Sequence, residues 1–427
     1  MREDIKKRIE AVRRGEVPEG YRRTRAGLMP LDWIDDYSAK DIFRNCTNKN
    51  HNGEFEVLSA TQERGVIPRS DIDIDIKYAE ENVGAYKKVD IGDFIISLRS
   101  FQGGIEYSKY EGVVSPAYTV LKAIKPISDG FYQSYFKSPD FITRLSGAVY
   151  GIRDGKQIGF SDFGELTLHY PPIEEQKKIA EILSICDRVI ELKKKLVEEL
   201  QQLKKTCLAK MFPRNGADVP ELRFPGFTDP WEQHKLGDIA SSFEYGLNAA
   251  AKEYDGVNKY LRITDIDDSS HAFRDDDLTS PDIDLSSAEN YRLQEGEILF
   301  ARTGASVGKT YIYKEFDGLV YFAGFLIRAK IKPEYDAEFV FQNTLCTAYE
   351  KYIQITSQRS GQPGVNAQEY AEYSFSLPCY TEQKKIGNLL RQIDDLITLH
   401  QRELDAEQKK KKALMQLLLT GLARVIV

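Results

Sequence analysis

The segment IEEQKKIAEILSICDRVIEL at 173–192 returns as TEQKKIGNLLRQIDDLITL at 381–399, at a constant spacing of 207 residues. Gln176 falls on Gln383, Leu183 on Leu390, Asp187 on Asp394 and Ile190 on Ile397. A register held over the whole segment marks an internal duplication, so any fold for this chain must contain one building block twice.

Proline precedes both copies, as Pro171 and Pro172 before the first and Pro378 before the second. Proline suits a helix start, and Glu174, Glu175 and Glu382 suit the positive end of the helix dipole. The first helix is predicted to run to about Phe212, where Pro213 and Gly216 stop it; the second runs to about Leu419, just before Gly421. Each would be roughly 60 Å long at 1.5 Å per residue.

A helix of that length needs somewhere to bury its apolar stripe. In the first, Ile182, Cys186, Val189, Lys193, Leu196, Leu200, Leu203 and Cys207 follow one another at steps of four and three. In the second, Ile386, Leu390, Ile393, Ile397, His400, Leu404, Glu407, Lys411, Leu414 and Leu418 do the same. This is a coiled-coil seam, and pairing the two helices with each other is the simplest way to cover it. The polar residues within it set register or mark an outer face, and the lysine run 409–412 reads as a solvated flank.

The duplication extends beyond the helices. GEVPEGYRRTRAGLMPLDW ends at Trp33 and GADVPELRFPGFTDPW at Trp231, each with VPE ahead of an irregular stretch. Asp41-Ile42 matches Asp238-Ile239, VLSAT (57–61) matches YLRIT (260–264), and IGDFIISLRS (91–100) matches EGEILFARTG (295–304). The expected fold is therefore mixed α/β (α+β): two similar globular domains separated by two long helices that form a coiled coil. Residues 1–16 form an N-terminal helix, 17–170 the first globular domain and 171–212 the central helix. A linker at 213–230 leads to the second domain at 231–378 and the distal helix at 379–427. The N-terminal piece looks like the tail of a helix whose body lies at the carboxyl end, which closes the chain into a circle with approximate two-fold symmetry.

This alignment also disposes of GASVGKT (304–310), which resembles a phosphate-binding loop. Such a loop needs four residues between its first glycine and Gly-Lys-Ser/Thr, whereas Gly304 and Gly308 are separated by three. In the first copy Gly104 faces Gly308, but Ile105 and Glu106 face Lys309 and Thr310. A strand followed by a glycine-containing turn that presents side chains describes both copies better than nucleotide binding does.

Composition narrows the remaining classes. No apolar run is long enough to span a bilayer and the amino-terminal MREDIKKRIEAVRR is charged, so a cytoplasmic protein without membrane association is expected. The five cysteines and five histidines are dispersed without metal-ligand spacing, and no metal site is expected. A formal net charge of −7 argues against a surface that coats nucleic acid everywhere, but leaves room for segregated basic loops.

With these features in view, the sequence resembles the specificity subunit of type I restriction-modification systems. The resemblance rests on VPEGY…GLMPLDW, GVVSPAYTVLK (112–122), RTGASVG (302–308), FPGFTDPWEQHKLGDI (224–239) and the two EQKKI helix starts after proline, and it covers essentially the whole chain. It implies two target-recognition domains, each reading one half of a bipartite sequence in double-stranded DNA. The long helices would form an antiparallel spacer that docks two methyltransferase subunits. Those partners would carry S-adenosylmethionine and the chemistry, and motor-nuclease subunits would join them in the full restriction enzyme. The chain itself would hold no cofactor and be non-catalytic.

Candidate DNA-binding side chains lie in the polar turns. In the first domain they are Arg99, Ser100 and Gln102, with Arg153, Lys156 and Gln157 from GIRDGKQIGF. In the second they are Arg302, Thr303, Ser306 and Lys309, with Gln358, Arg359 and Gln362 from SQRSGQPGV. Arginine and glutamine can bond two atoms of guanine or adenine at once, and the neighbouring glycines permit close backbone approach.

Three rival readings fare worse. A self-sufficient methyltransferase needs a catalytic Asn/Asp-Pro-Pro-aromatic loop, and the nearest strings, YPPI and LPCY, sit at helix starts. A nuclease could use the carboxylates of DIDIDIK (71–77), but the alternation also describes a strand and has no counterpart in the second copy. A coiled-coil adaptor with two protein-binding heads has the same repeat architecture; steep salt dependence of duplex binding would separate it from a DNA reader.

Overall fold

The computed structural model describes residues 2–34, 37–51, 54–62, 64–72, 80–147, 158–214, 217–359 and 361–425. It divides into two compact units, one comprising Met1–Leu192 with Leu404–Val427 and the other Lys193–Glu403. The long helices span Ile173–Met211 and Tyr380–Leu419, 39 and 40 residues. Among the described residues no helix is long and apolar enough to cross a membrane.

In the first unit a four-stranded antiparallel sheet runs in the order Phe43–Cys46, Thr119–Ala123, Phe94–Ile96, Glu106–Tyr107. Strand Phe94–Ile96 is buried on both faces, which explains its unbroken apolar reading. One face packs on helices Asp129–Phe136 and Pro139–Gly147 through Phe43, Phe94, Tyr132, Phe136 and Phe141. Edge-to-face contacts such as Phe43–Tyr132 at 5.3 Å and Phe94–Phe136 at 5.3 Å tie this cluster together. The same core takes in Ile179 and Leu183 from the first long helix, Leu418 and Leu419 from the second, and half-buried Ile5 from helix Glu3–Arg13. The Tyr21 hydroxyl donates to Gly421 O at 2.6 Å and Arg8 to Leu422 O at 3.1 Å, so the two ends of the chain meet within this unit.

The second unit repeats the frame. Its four-stranded sheet runs Ala240–Tyr245, Leu326–Ile331, Ile298–Ala301, Thr310–Ile312, again antiparallel throughout. Its core joins Ile298, Phe300 and Ile327 to Phe339 and Tyr349 on helices Ala337–Asn343 and Thr347–Thr356, and to Met211, Ile386 and Leu390 on the long helices. The matched Asp-Ile pairs do the same work twice: Asp41 accepts from Ser38 N at 2.8 Å and Asp238 from Lys235 N at 3.4 Å, while Ile42 and Ile239 are fully buried. Each aspartate closes a one-turn helix at the edge of its sheet. The units diverge outside the frame: Leu58–Thr61 of the first forms a hairpin with Gly65–Pro68, whereas in the second the matched Lys259–Leu261 pairs parallel with Val320–Phe322, and Ala251–Glu253 pairs with Thr279–Pro281.

The Glu-Gln pair at each long-helix start is the joint between helix and head. Gln176 donates through Nε2 to Pro171 O at 2.9 Å and accepts Ser128 N at 2.9 Å; Gln383 donates to Pro378 O at 2.8 Å and accepts Asp336 N at 3.0 Å. Glu382, fully buried, takes both Arg223 nitrogens at 2.8 Å. Glu175 takes Arg424 at 2.8 Å on each oxygen and also Trp33 Nε1 at 2.9 Å. Two parallel charge-assisted bonds fix both distance and angle.

Inside each unit the helix segments run antiparallel. In the first, Lys411 bonds Asp187. In the second, Lys193 meets Glu403 at 2.7 Å and Lys204 meets Asp394 at 2.6 Å. On the second helix Ile386, Leu390, Ile393, Ile397, Leu404 and Leu418 are buried, with His400, Glu407, Lys411 and Leu414 half-buried. The first helix requires a correction. Leu196 and Leu203 are 38% and 49% exposed, and Ile182 and Val189 only half-buried, whereas Leu183, Val197 and Met211 are buried. The inner positions are 183, 190, 197, 204 and 211, one residue on from the predicted 182, 189, 196 and 203, while Cys186, Lys193, Leu200 and Cys207 stay inside or half inside. Ile182-Leu183, Val189-Ile190 and Leu196-Val197 offer two adjacent apolar stripes. The choice falls on the one containing Lys204, whose stem is buried with its ammonium on Asp394.

Candidate nucleic-acid interface

In the second unit, strand Ile298–Ala301 ends in a turn through Gly304–Ser306 and returns as Thr310–Ile312. The segment following it is a strand antiparallel to the first, not the helix that a phosphate loop would require. Gly304 and Gly308 have φ of 71° and 85°, and a Cβ at Gly308 would lie 2.5 Å from Ile353 Cγ2. Tyr370 OH donates to Ala301 O at 2.7 Å and receives Gly308 N at 3.2 Å, while Tyr349 OH donates to Gly308 O at 3.0 Å. Two buried tyrosines thus fix the base of the turn from the neighbouring helices Thr347–Thr356 and Ala367–Ala371.

The turn is stitched to the loop that carries the other candidates. Gly304 N donates to Pro363 O at 3.0 Å and Val365 N to Arg302 O at 2.9 Å. Arg302, Thr303 and Gln362, some 60 residues apart in sequence, therefore share one patch, with exposed Gln358 and Arg359 on the same loop and Ser306 half-exposed on the turn. Arg359 is tied to Glu369 and to Thr356 O at 2.8 Å. Lys309 does not reach this patch with a free charge, because its ammonium is held by Ile266 O at 3.2 Å and Asp268 at 2.5 Å.

One partner of the patch escaped the sequence reading. Tyr245, at the end of its strand and 45% exposed, carries the Arg302 guanidinium 4.9 Å from its ring centroid. Its hydroxyl accepts Ala367 N at 3.3 Å. The signal that could have found it is an aromatic residue ending a strand beside Gly246, whose backbone is too close to Ala323 for any side chain.

In the first unit Arg99 precedes the short helix Ser100–Gly103 and is exposed, as is Gln102. Ser100 faces inward: it is 1% exposed and its hydroxyl accepts Ser97 N at 2.8 Å, which makes it a turn-forming group with no surface to offer a base. Gly104 has φ of 82°, and a Cβ there would lie 2.1 Å from Phe136 O. Arg153, Lys156 and Gln157 lie outside the described residues, as does most of DIDIDIK. A cleft of about 510 Å³ beside this turn is lined by Gln62, Arg64 and Lys109, with Lys137 and Lys411 paired to Glu106 and Asp187 of the same lining, a mixed polar grouping assembled from segments too distant for a sequence motif.

These side chains supply hydrogen-bond donors and positive charge on rigid turns. Among the described residues no group of three or more histidine, cysteine or acidic side chains could hold a metal ion. Burial pushes the thiol of Cys346 up to about 12.

Comparison with known proteins follows the same duplicated outline. The family model for the type I restriction modification DNA specificity domain matches the chain twice, over residues 35–202 and 228–408. The specificity subunit of the type I restriction enzyme MjaVIII from Methanocaldococcus jannaschii is 25% identical over 347 residues, covering 79% of this chain and 80% of that protein. The putative MjaX specificity subunit of the same organism is 26% identical over 443 residues, covering 95% and 97%. The crystal structure of the type I restriction-modification S subunit from M. genitalium shares the fold, with a TM-score of 0.58 at 15% identity over 92% of this chain and 97% of that one.

Proposed function

Because this chain belongs to the family of type I restriction-modification DNA specificity subunits, we propose that each of its units reads one half of a bipartite duplex sequence and that its long helices dock methyltransferase subunits. A specificity subunit is the non-catalytic, DNA-recognising member of its complex. S-adenosylmethionine and bond-making then reside in the methyltransferase partners, and motor-nuclease subunits complete the restriction enzyme.

The observation that carries this reading is the duplicated frame with unlike turns. Both units hold a glycine-hinged turn at the end of the same strand, and each turn displays different polar side chains. A common scaffold with divergent donors is what two readers of different bases require. Exposed leucines support the docking role. Leu196, Leu203, Leu396 and Leu399 of the second unit, and Ile185 and Leu192 of the first, are 38–62% exposed on the long helices, apolar side chains suited to a protein interface.

The test is co-expression with the cognate methyltransferase in cells lacking other modification, followed by sequencing that detects methylated bases. One bipartite motif, methylated in both halves, is the expected result. Methylation without a bipartite motif, or a purified complex whose duplex binding shows no steep fall with salt, would defeat the proposal. Removal of residues 381–427 should abolish assembly with two methyltransferase subunits; a complex of unchanged stoichiometry would rule out docking on the helices.

A further inference from the structure

We propose that Tyr245 is a positioning residue that holds Arg302 ready to read a guanine in the half-site of the second unit. This inference rests on the proposed DNA-reading function and names the residue pair that would carry one base of it.

The first observation is a contrast among arginines. In the globular part of the second unit, Arg262, Arg274, Arg292, Arg328 and Arg359 each bond a carboxylate. Arg302 is the exception: among the described residues no carboxylate or carbonyl takes its guanidinium donors. A chain with 66 acidic and 59 basic residues could have placed a partner there. Instead, the guanidinium lies 4.9 Å from the Tyr245 ring centroid. Stacking satisfies the face of a guanidinium and leaves its edge donors free, whereas a carboxylate would occupy those donors.

The second observation is that both ends of the pair are fixed. Arg302 is held through its main chain on both sides, N–H to Phe325 O at 3.0 Å and C=O from Val365 N at 2.9 Å. Tyr245 is anchored by its place in the strand Ala240–Tyr245 and by Ala367 N on its hydroxyl. A long side chain pinned at its base and held over an aromatic ring loses less freedom on binding than a free one. The atoms it leaves unoccupied are a planar pair of N–H donors. Guanine O6 and N7, displayed together in the major groove, are the acceptor pair that such a fork matches best.

The experiment uses the assembled complex with its methyltransferase. The motif methylated by the unaltered complex is determined first; duplexes with each position of that motif varied singly are then compared in competition. Arg302→Ala should relax preference for guanine at one position of one half-site by about tenfold, leaving the other half-site intact. Tyr245→Leu should relax the same position by about threefold, and Tyr245→Phe, which keeps the ring, should retain selectivity. If Tyr245→Leu fails to fold, Arg302→Lys serves instead: it keeps the charge but lacks the planar fork, and should lose the guanine preference. Equal loss of affinity for every duplex on Arg302→Ala, with a shallower salt slope, would make Arg302 a phosphate contact and overturn the inference while leaving the proposed function standing. Full selectivity in Tyr245→Leu, or in Arg302→Lys, would overturn it likewise. A complex that methylates no bipartite motif at all would remove the proposed function first and this inference with it.

Discussion

The two units place the same parts in the same order yet secure them differently, and the difference lies at the start of each long helix. In the second unit the carboxylate at the helix start, Glu382, is gripped by Arg223, which lies ahead of Trp231 in a continuous stretch of chain. In the first unit the corresponding Glu175 is gripped by Arg424, supplied by the carboxyl end of the polypeptide, with Trp33 as a further donor. Arg424 also binds Asp32 at 2.7 and 2.8 Å, so the chain end is held on two acids. The joint of the first unit therefore gathers one more donor and one more acid than that of the second.

Removing the carboxylates would test this comparison most severely. Each Glu is at most 3% exposed and faces an arginine; losing Glu382 strands the Arg223 guanidinium, and losing Glu175 leaves Arg424 only the 59% exposed Asp32. Breaking such a buried pair costs about 3–5 kcal/mol. Glu175→Ala should be the more damaging of the two, because it also orphans Trp33 Nε1 and releases one anchor of the carboxyl terminus. Urea unfolding of the two single variants checks the ranking; a larger loss for Glu382→Ala would show that the additional contacts at Glu175 do not matter.

The paired glycines sharpen the comparison at the turns that follow the matched strands. Both Gly104 and Gly308 have φ above 80°, where a side chain is strained, but their neighbours differ. At Gly104 an added Cβ meets the carbonyl oxygen of Phe136, part of the helix backbone, and at Gly308 it meets the branched tip of Ile353. A side chain can shift and a packed backbone cannot. Gly104→Ala is expected to cost about 3 kcal/mol and Gly308→Ala about 1–2 kcal/mol, measured by thermal unfolding.

The tryptophans form a subtler pair. Trp33 donates to Glu175, whereas Trp231 Nε1 is buried with no acceptor among the described residues. Both rings pack against aromatic neighbours, Trp33 on His169 at 5.6 Å and Trp231 on Phe339 at 5.6 Å. Replacement by phenylalanine removes similar volume from each. It also removes a bond to a charged acceptor only at Trp33, a bond worth about 1.5–3 kcal/mol. Trp33→Phe should therefore be more destabilising than Trp231→Phe by about 1.5 kcal/mol; equal losses would mean that the indole donor of Trp231 finds water.

Periodicity and self-alignment carried much of the architecture, because a duplicated helix declares itself twice and its matched glycines and Asp-Ile pairs recur at fixed offsets. They failed where the deciding contact was polar or distant. Lys204 hid half of the first helix's seam, since hydrophobic patterning does not count a lysine whose stem is buried. The role shared by Arg223 and Arg424 was invisible because one of them acts across the whole length of the chain. At the glycine turns, sequence alone grouped Arg302 with Lys309, and only the fold separates a guanidinium over a ring from an ammonium held by Asp268. Ser100 sits in the right turn but faces the core. Tyr245 carried no motif; its meaning comes from what lies over it.

The corrected seam leads to the smallest effect and the most specific one. Val197 is 4% exposed while its neighbour Leu196 and the predicted seam residue Leu203 point to solvent. Replacing an exposed leucine on a helix surface changes stability by no more than about 0.5 kcal/mol. Leu203→Glu should therefore unfold at the same urea concentration as the unaltered chain. If the outward stripe is the docking face, the same variant should bind methyltransferase subunits more weakly, read by sedimentation of the mixed proteins, because it places a charge in an apolar contact. A Leu203→Glu chain that unfolds early would put Leu203 back in the seam. One that is as stable as the unaltered chain and assembles normally would move the docking surface off this stripe of the helix.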